Sequence, residues 1–237
     1  MEIAVFDTPE AGAEALAEQM AEWGREGSLE HLALSGGSSP GALFDLLAED
    51  YWYRLPWKDM HFYWGDERCV PPGSSESNYG MASSRLFAHL AVPQGHIHRI
   101  QGEADPALEA RRYAEQLQNL LPAENGLPRF DLILLGMGTD GHTASVFPHQ
   151  AALWNSTALC EVATHPESGQ KRITLTGSII NNAARVVFLV NGKAKAALVK
   201  EILEGSPNAS NYPASLVRPK DGRLLWMLDR DAASQLS

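Results

Sequence analysis

Apolar residues in this chain alternate between short unbroken runs and longer stretches spaced three or four apart, the patterns of buried strands and amphipathic helices. Ile3 to Phe6, His31 to Ser35, His61 to Trp64, Leu132 to Leu135 and Arg185 to Val190 read as strands. The run at Leu132 is of the kind covered on both faces in a parallel sheet. Pro9 to Glu26 carries Ala13, Leu16, Ala17, Met20 and Trp23 at helical spacing, and Ala42, Leu43, Leu46 and Leu47 mark a second helix. A third helix is predicted from near Asn78, with Met81, Leu86, Phe87 and Leu90 inward. A fourth covers Pro106 to Leu121, with Leu108, Tyr113, Leu117 and Leu120 on its apolar side, and NGKAKAALVKEILEG forms another that stops at Gly205. AENGLPR is a polar connector. Leu159 to Ala163, Arg172 to Thr176 and RLLWMLD complete the strands, and Gly177 and Ser178 open a short helix. Strand and helix repeat without long linkers. This predicts one α/β domain over residues 1–237, a doubly wound, mostly parallel sheet flanked by helices in a modified Rossmann-like arrangement.

Composition narrows the function classes. At 237 residues one large domain with a full core is expected, and no window approaches the length of a membrane span. The N-terminus lacks a basic start and a long apolar segment, so a cytoplasmic protein is the default. Cys69 and Cys160 show no metal or redox spacing, which suits a reducing compartment. A formal charge of −10 disfavours nucleic acid and anionic membranes as partners, yet leaves room for a small anion held by local donors. The sequence sets no oligomeric state.

The strand at Leu132 ends abruptly in GMGTDGH. Gly136, Gly138 and Gly141 allow a tight turn that brings backbone amides close to a ligand, with Asp140 and His142 inside it as the best candidates for chemistry. In an open α/β sheet this position faces the crevice beyond the strands' carboxyl ends. GMGTDG also satisfies G-x-G-x-x-G, with Glu161 about 20 residues on. A dinucleotide turn needs a continuous helix after its third glycine, however, and Pro148 falls where the second helical turn would stand.

A second glycine-rich bend, Ser35 to Ser39, precedes the second helix, with Ser39 as its expected cap and Pro40 at its first position. Gly36, Gly37 and Ser38 either offer amides to a phosphate or simply turn the chain; the segment alone leaves both open. No Gly-Lys-Ser/Thr follows, so a triphosphate P-loop is not indicated. Asp66, Glu67 and Arg68 stand just past a strand, where a charged triplet is more often a solvated loop than a site. His96 and His98 alternate along an extended piece and are expected as surface or packing residues, since no third metal ligand stands at a recognised spacing. Arg172 and Lys195, each at an element end, read individually as surface cations.

The segments ALSGGSSP, YWGDERCVPP followed by SNYGMA, LILLGMGTDGHTASVFP, KRITLT with INNA, VVFLVNGKAKAAL, and PASLVRP with GRLLWMLD occur in this order. With them the chain resembles the 6-phosphogluconolactonases over most of its length. The resemblance implies hydrolysis of 6-phospho-D-glucono-1,5-lactone in the oxidative pentose phosphate pathway, with no cofactor and no metal. It implies His142 as the residue that activates water, oriented by Asp140 or Asp66. Gly36, Gly37 and Ser38 would hold the phosphate with Arg172 and Lys195, and Arg68 would serve either the phosphate or the oxyanion. The related glucosamine-6-phosphate deaminases and isomerases continue after their histidine into an apolar-Asn-Glu-Pro sequence. This chain has no acid from Thr143 to Pro148 and carries Arg68 as the lactonases do, so hydrolysis is favoured over deamination. A non-catalytic sugar-phosphate-binding module is the remaining alternative; it gives no reason for Asp140 and His142 to share a turn.

Overall fold

The computed structural model of the chain describes residues 1–124 and 126–237; Asn125, in the predicted polar connector, lies outside the described residues. The elements in order are β1 (Glu2–Phe6), α1 (Pro9–Arg25), β2 (His31–Leu34), α2 (Ser38–Glu49), β3 (His61–Trp64), β4 (Asp66–Arg68) and α3 (Asn78–Arg85). There follow α4 (Pro106–Leu120), the short pair β5 (Ala123–Glu124) and β6 (Leu127–Pro128), β7 (Leu132–Leu135), β8 (Cys160–Thr164) and β9 (Lys171–Leu175). The chain ends with α5 (Gly177–Ile180), β10 (Arg185–Val190), α6 (Ala196–Leu203), β11 (Arg223–Asp229) and α7 (Arg230–Ala233).

Six strands form one parallel sheet in the order β1-β11-β10-β7-β2-β3. β7 lies inside it, and all four of its residues are buried, as its unbroken apolar run requires. The chain advances along the sheet from β1 through β2 to β3, then reverses through β7, β10 and β11. With right-handed crossovers, that reversal puts α1 and α2 on one face and α4 and α6 on the other. The reversal point falls between β2 and β7. The loops leaving these two neighbours therefore flank the crevice where an α/β sheet binds its ligand.

The charged triplet is not a solvated loop. Gly65, which donates to Leu34 O at 2.9 Å and accepts from Leu175 N at 2.8 Å, turns the chain out of the parallel sheet. Asp66–Arg68 then pairs antiparallel with β9 in a separate sheet of order β4-β9-β8. Asp66 and Glu67 are buried there. Glu67 accepts from the amides of Arg68, Asn78 and Tyr79 and from Ser77 Oγ, so the carboxylate meets the free N–H groups that start α3.

Other local expectations are corrected by packing. Ser39 does not cap α2: the helix begins at Ser38, and its cap position is Gly37 at φ 107°, with no side-chain cap bond. On α4 the buried side is Glu109, Ala110, Tyr113 and Leu117, which leaves Leu108 and Leu120 exposed. The reason is angular: Leu108 stands one residue off the 109/113/117 row and so points about 100° away from it. Of the expected extended piece HIHRI only His96 lies in a 3-10 turn, Gln94–His96; Ile97 is extended and makes a single bridge to Phe62.

His96 and His98 do share a side, and both meet His61. The His61 ring stacks on His96 at 3.8 Å and on His98 at 5.2 Å, and His31 lies 5.3 Å away. This cluster sits at the starts of β2 and β3, at the opposite end of the sheet from the crevice. Burial lowers the pKa of His31 and His61 and brings His98 down to about 4. Neighbouring histidines add to the drop at His61 and His98, while Glu30 opposes it at His31 and His61 and Asp131 at His31. Between about pH 4 and its ordinary value, about 6.5, His98 is neutral when folded and charged when unfolded. Its contribution is thus full above about pH 6.5 and is lost as pH falls toward about 4. His98→Gln should flatten the fall of melting temperature over that window, recovering on the order of 3 kcal/mol near its lower end. Thermal unfolding of both proteins between these limits measures it; parallel curves would remove His98 as a source of acid sensitivity.

Candidate active site

The loops at the carboxyl ends of β2, β3, β7 and β10 enclose a cavity of about 200 Å³. Its walls include Gly36, Gly37, Ser38, Asp66, Arg68, Asn78, His142, Ala144, Arg172 and Lys195. Every sequence-predicted site residue except Asp140 therefore lines one space, and Asp140 stands directly behind His142.

The turn after β7 is built around that pair. His142 Nδ1 lies 2.6 Å from Asp140 Oδ1, and the same carboxylate oxygen accepts the His142 amide at 3.1 Å. Burial raises the Asp140 carboxyl, but the hydrogen bonds and charge of His142 outweigh it and leave the pKa below its ordinary value. An ionised Asp140 keeps a proton on Nδ1, so that in the neutral ring Nε2 is the nitrogen with the lone pair. Asp66, the other candidate for orienting the ring, makes no hydrogen bond to it. It is engaged elsewhere, accepting from Ser145 Oγ at 2.6 Å, and Asn78 Nδ2 lies 3.4 Å away. No helix follows Gly141. The chain makes a single bridge between Thr143 and Val146 and then a 3-10 segment, Pro148–Asn155, which removes the basis for a dinucleotide turn.

Gly138 is required by close approach. A β-carbon there would stand 2.2 Å from His142 Nδ1 and 2.6 Å from Asp140 Oδ1. Gly138→Ala should therefore force the pair apart and lower turnover by roughly a hundred-fold or more. Steady-state kinetics with a melting curve test this; full activity in the alanine variant would mean that the pair is not needed in this arrangement.

Across the cavity the groups are donors and cations. The amides of Ser38 and Ser39 belong to the first turn of α2, where no carbonyl of the helix can reach them. Arg68 and Arg172 are register partners on β4 and β9, and the Nε of each is buried without an acceptor. Arg68 Nη1 donates to Glu76 O. Burial lowers the Arg172 pKa, with Asp66 opposing and Arg68 adding to the drop; burial also lowers Lys195, with Asp229 opposing. Two like charges placed opposite each other in a sheet are destabilising unless an anion stands between them. Guanidinium groups lining the cavity have the fork geometry to bind one.

Four contributors were not legible as such. Asn78 reads in sequence only as a helix start, yet its buried side chain donates to Asp66 O at 2.9 Å and stands against Gly36. Ala144 has φ 48°, the one positive value outside glycine among the described residues, and nothing about alanine announces it. On either side of it Thr143 and Ser145 turn inward, Thr143 Oγ1 donating to Gly136 O at 2.9 Å and Ser145 Oγ to Asp66. Among the described residues no group of His, Cys, Asp and Glu is arranged to hold a metal ion, and no helix is long and apolar enough to cross a membrane.

Fold and cavity together define an α/β protein with a cavity lined by Arg68, Arg172 and Lys195 beside a carboxylate–imidazole pair. The family described as glucosamine-6-phosphate isomerases/6-phosphogluconolactonase matches residues 7–226. A 6-phosphogluconolactonase of Haemophilus influenzae is 42% identical over 232 residues, 98% of each chain. Among solved structures, that of devB protein is 44% identical with a TM-score of 0.95 and covers 100% of this chain and 99% of its own. The 6-phosphogluconolactonase of Trypanosoma brucei is 30% identical with a TM-score of 0.87, covering 100% of this chain and 98% of its own. This chain belongs to the glucosamine-6-phosphate isomerase/6-phosphogluconolactonase family.

Proposed function

We propose that the chain is an enzyme that hydrolyses 6-phospho-D-glucono-1,5-lactone to 6-phospho-D-gluconate, with His142 as general base. The observation that carries the mechanism is that one cavity joins His142, held by Asp140, to Arg68, Arg172 and Lys195. The relatives named as 6-phosphogluconolactonases support the substrate.

In this mechanism the phosphate sits on the amides at the start of α2, near Gly36, Gly37 and Ser38, with Arg172, Lys195 and Arg68 as cationic partners. Arg68 is assigned to the phosphate because it stands opposite Arg172 in the sheet. Nε2 of His142 takes a proton from water as the water oxygen attacks the lactone carbonyl carbon. When the tetrahedral intermediate collapses, the carbon–ring oxygen bond breaks and the same proton passes to the departing oxygen. Asp140 keeps the ring oriented and favours its charged form while it holds that proton. Asp66, fixed by Ser145, is left to accept from a sugar hydroxyl. Two free thiols, Cys69 and Cys160, suit the cytoplasm as the setting.

Purified protein should consume the lactone well above its spontaneous rate and release one acid equivalent per molecule. Ammonia released from glucosamine 6-phosphate, with the lactone left at its background rate, would favour the deaminase branch instead.

A further inference from the structure

The ring of Phe147 is fully buried and touches two groups with different chemical roles. Its centroid lies 4.7 Å from that of His142, with the planes inclined at 48°, and the Arg172 guanidinium carbon stands 5.7 Å from the same centroid. His165 meets it edge-on at 5.4 Å and His149 lies 5.8 Å away, so other rings pack around it.

A cation over an aromatic face is held by the ring's quadrupole, and that attraction consumes none of the guanidinium's donors. A carboxylate partner would hold the arginine equally well but would occupy the N–H groups a phosphate needs. Arg172 has no such partner among the described residues, and its Nε is buried without an acceptor. The arrangement at His142 is similar: Asp140 takes Nδ1, the Phe147 ring packs against the imidazole, and Nε2 stays unoccupied.

We infer that Phe147 is a positioning residue that seats the base and the phosphate-binding arginine relative to each other while leaving the reactive atoms of both free for substrate. This rests on the lactonase function proposed above. It makes one apolar side chain responsible for a coupled effect on turnover and on phosphate binding.

Phe147→Leu keeps an apolar side chain and removes the ring face. It should raise KM for the lactone roughly three- to thirty-fold, the worth of a cation–π contact. It should also lower kcat about ten-fold or more through misplacement of the imidazole. In an Arg172→Ala background the same substitution should still lower kcat but no longer raise KM, because the guanidinium it held is gone. Calorimetric titration with inorganic phosphate should show the same loss of affinity without any turnover. KM effects that add independently, or unaltered kinetics in Phe147→Leu, would overturn the inference. If the leucine variant does not fold, Phe147→Met, whose flexible side chain adapts to irregular space, carries the same expectations. Failure of the unaltered protein to hydrolyse the lactone would remove the proposed function itself; an active parent with a kinetically silent Phe147→Leu would remove only the role of this ring.

Discussion

Alanine at position 142 is expected to leave a folded protein whose turnover of the lactone is lower by about a hundred- to ten-thousand-fold. The imidazole is partly exposed, and its bonds are to its own turn and its packing to Phe147, so its removal opens no large core cavity. Asp140→Asn should be nearly as damaging while preserving shape. An amide can present a donor to Nδ1, which shifts the ring proton to Nε2 and removes the lone pair that accepts from water. The decisive measurement is kcat beside a melting curve. Near-parental turnover in a folded His142→Ala protein would falsify the general-base assignment, and a large loss in His142→Ala with none in Asp140→Asn would separate the base from its proposed orienter.

Arg172→Ala should act on binding. Removing one side of a charge-assisted contact to phosphate costs about 2–4 kcal/mol, a rise in KM of roughly thirty- to a thousand-fold, with kcat changed much less if the contact is equally strong in the transition state. Stability should change little. Arg68 repels Arg172 across the sheet while Asp66, Glu76 and Glu67 attract it and burial disfavours its charge, so deleting the cation removes effects of opposite sign and the melting temperature should hold. The pairing of weaker binding with undiminished stability marks a residue retained for its ligand. Inorganic phosphate should raise the melting temperature of the parent by mass action, and by less in the variant. A melting temperature that collapses while KM stays put would make Arg172 a structural residue.

Much of the fold is local in origin and was therefore readable. Ala13, Leu16, Ala17 and Met20 recur at helical spacing and all pack inward, and the run Leu132–Leu135 became a strand buried on both faces. The two glycine-rich turns also fell at strand ends, because a buried strand that stops at glycine must turn there. Asp140 and His142, two residues apart, were legible as a pair for the same reason. Where the reading failed, the competing influence came from elsewhere in the chain. Leu108 and Leu120 are apolar but stand off the row that α4 buries, and the triplet Asp66–Arg68 is charged yet pairs with β9 in the second sheet.

By itself the sequence determined most of the strands and helices, where the chain would turn and which side chains could do chemistry, since each depends on neighbours two to four residues away. Only the tertiary structure decided which of those groups meet. Asp66 finds Ser145 across 79 positions of chain, Arg68 finds Arg172 by the register of two antiparallel strands, and one phenylalanine comes to rest against both an imidazole and a guanidinium. Those meetings follow from how sheets pair and pack, which is settled by burial of the whole core and leaves no periodic mark on the residues concerned.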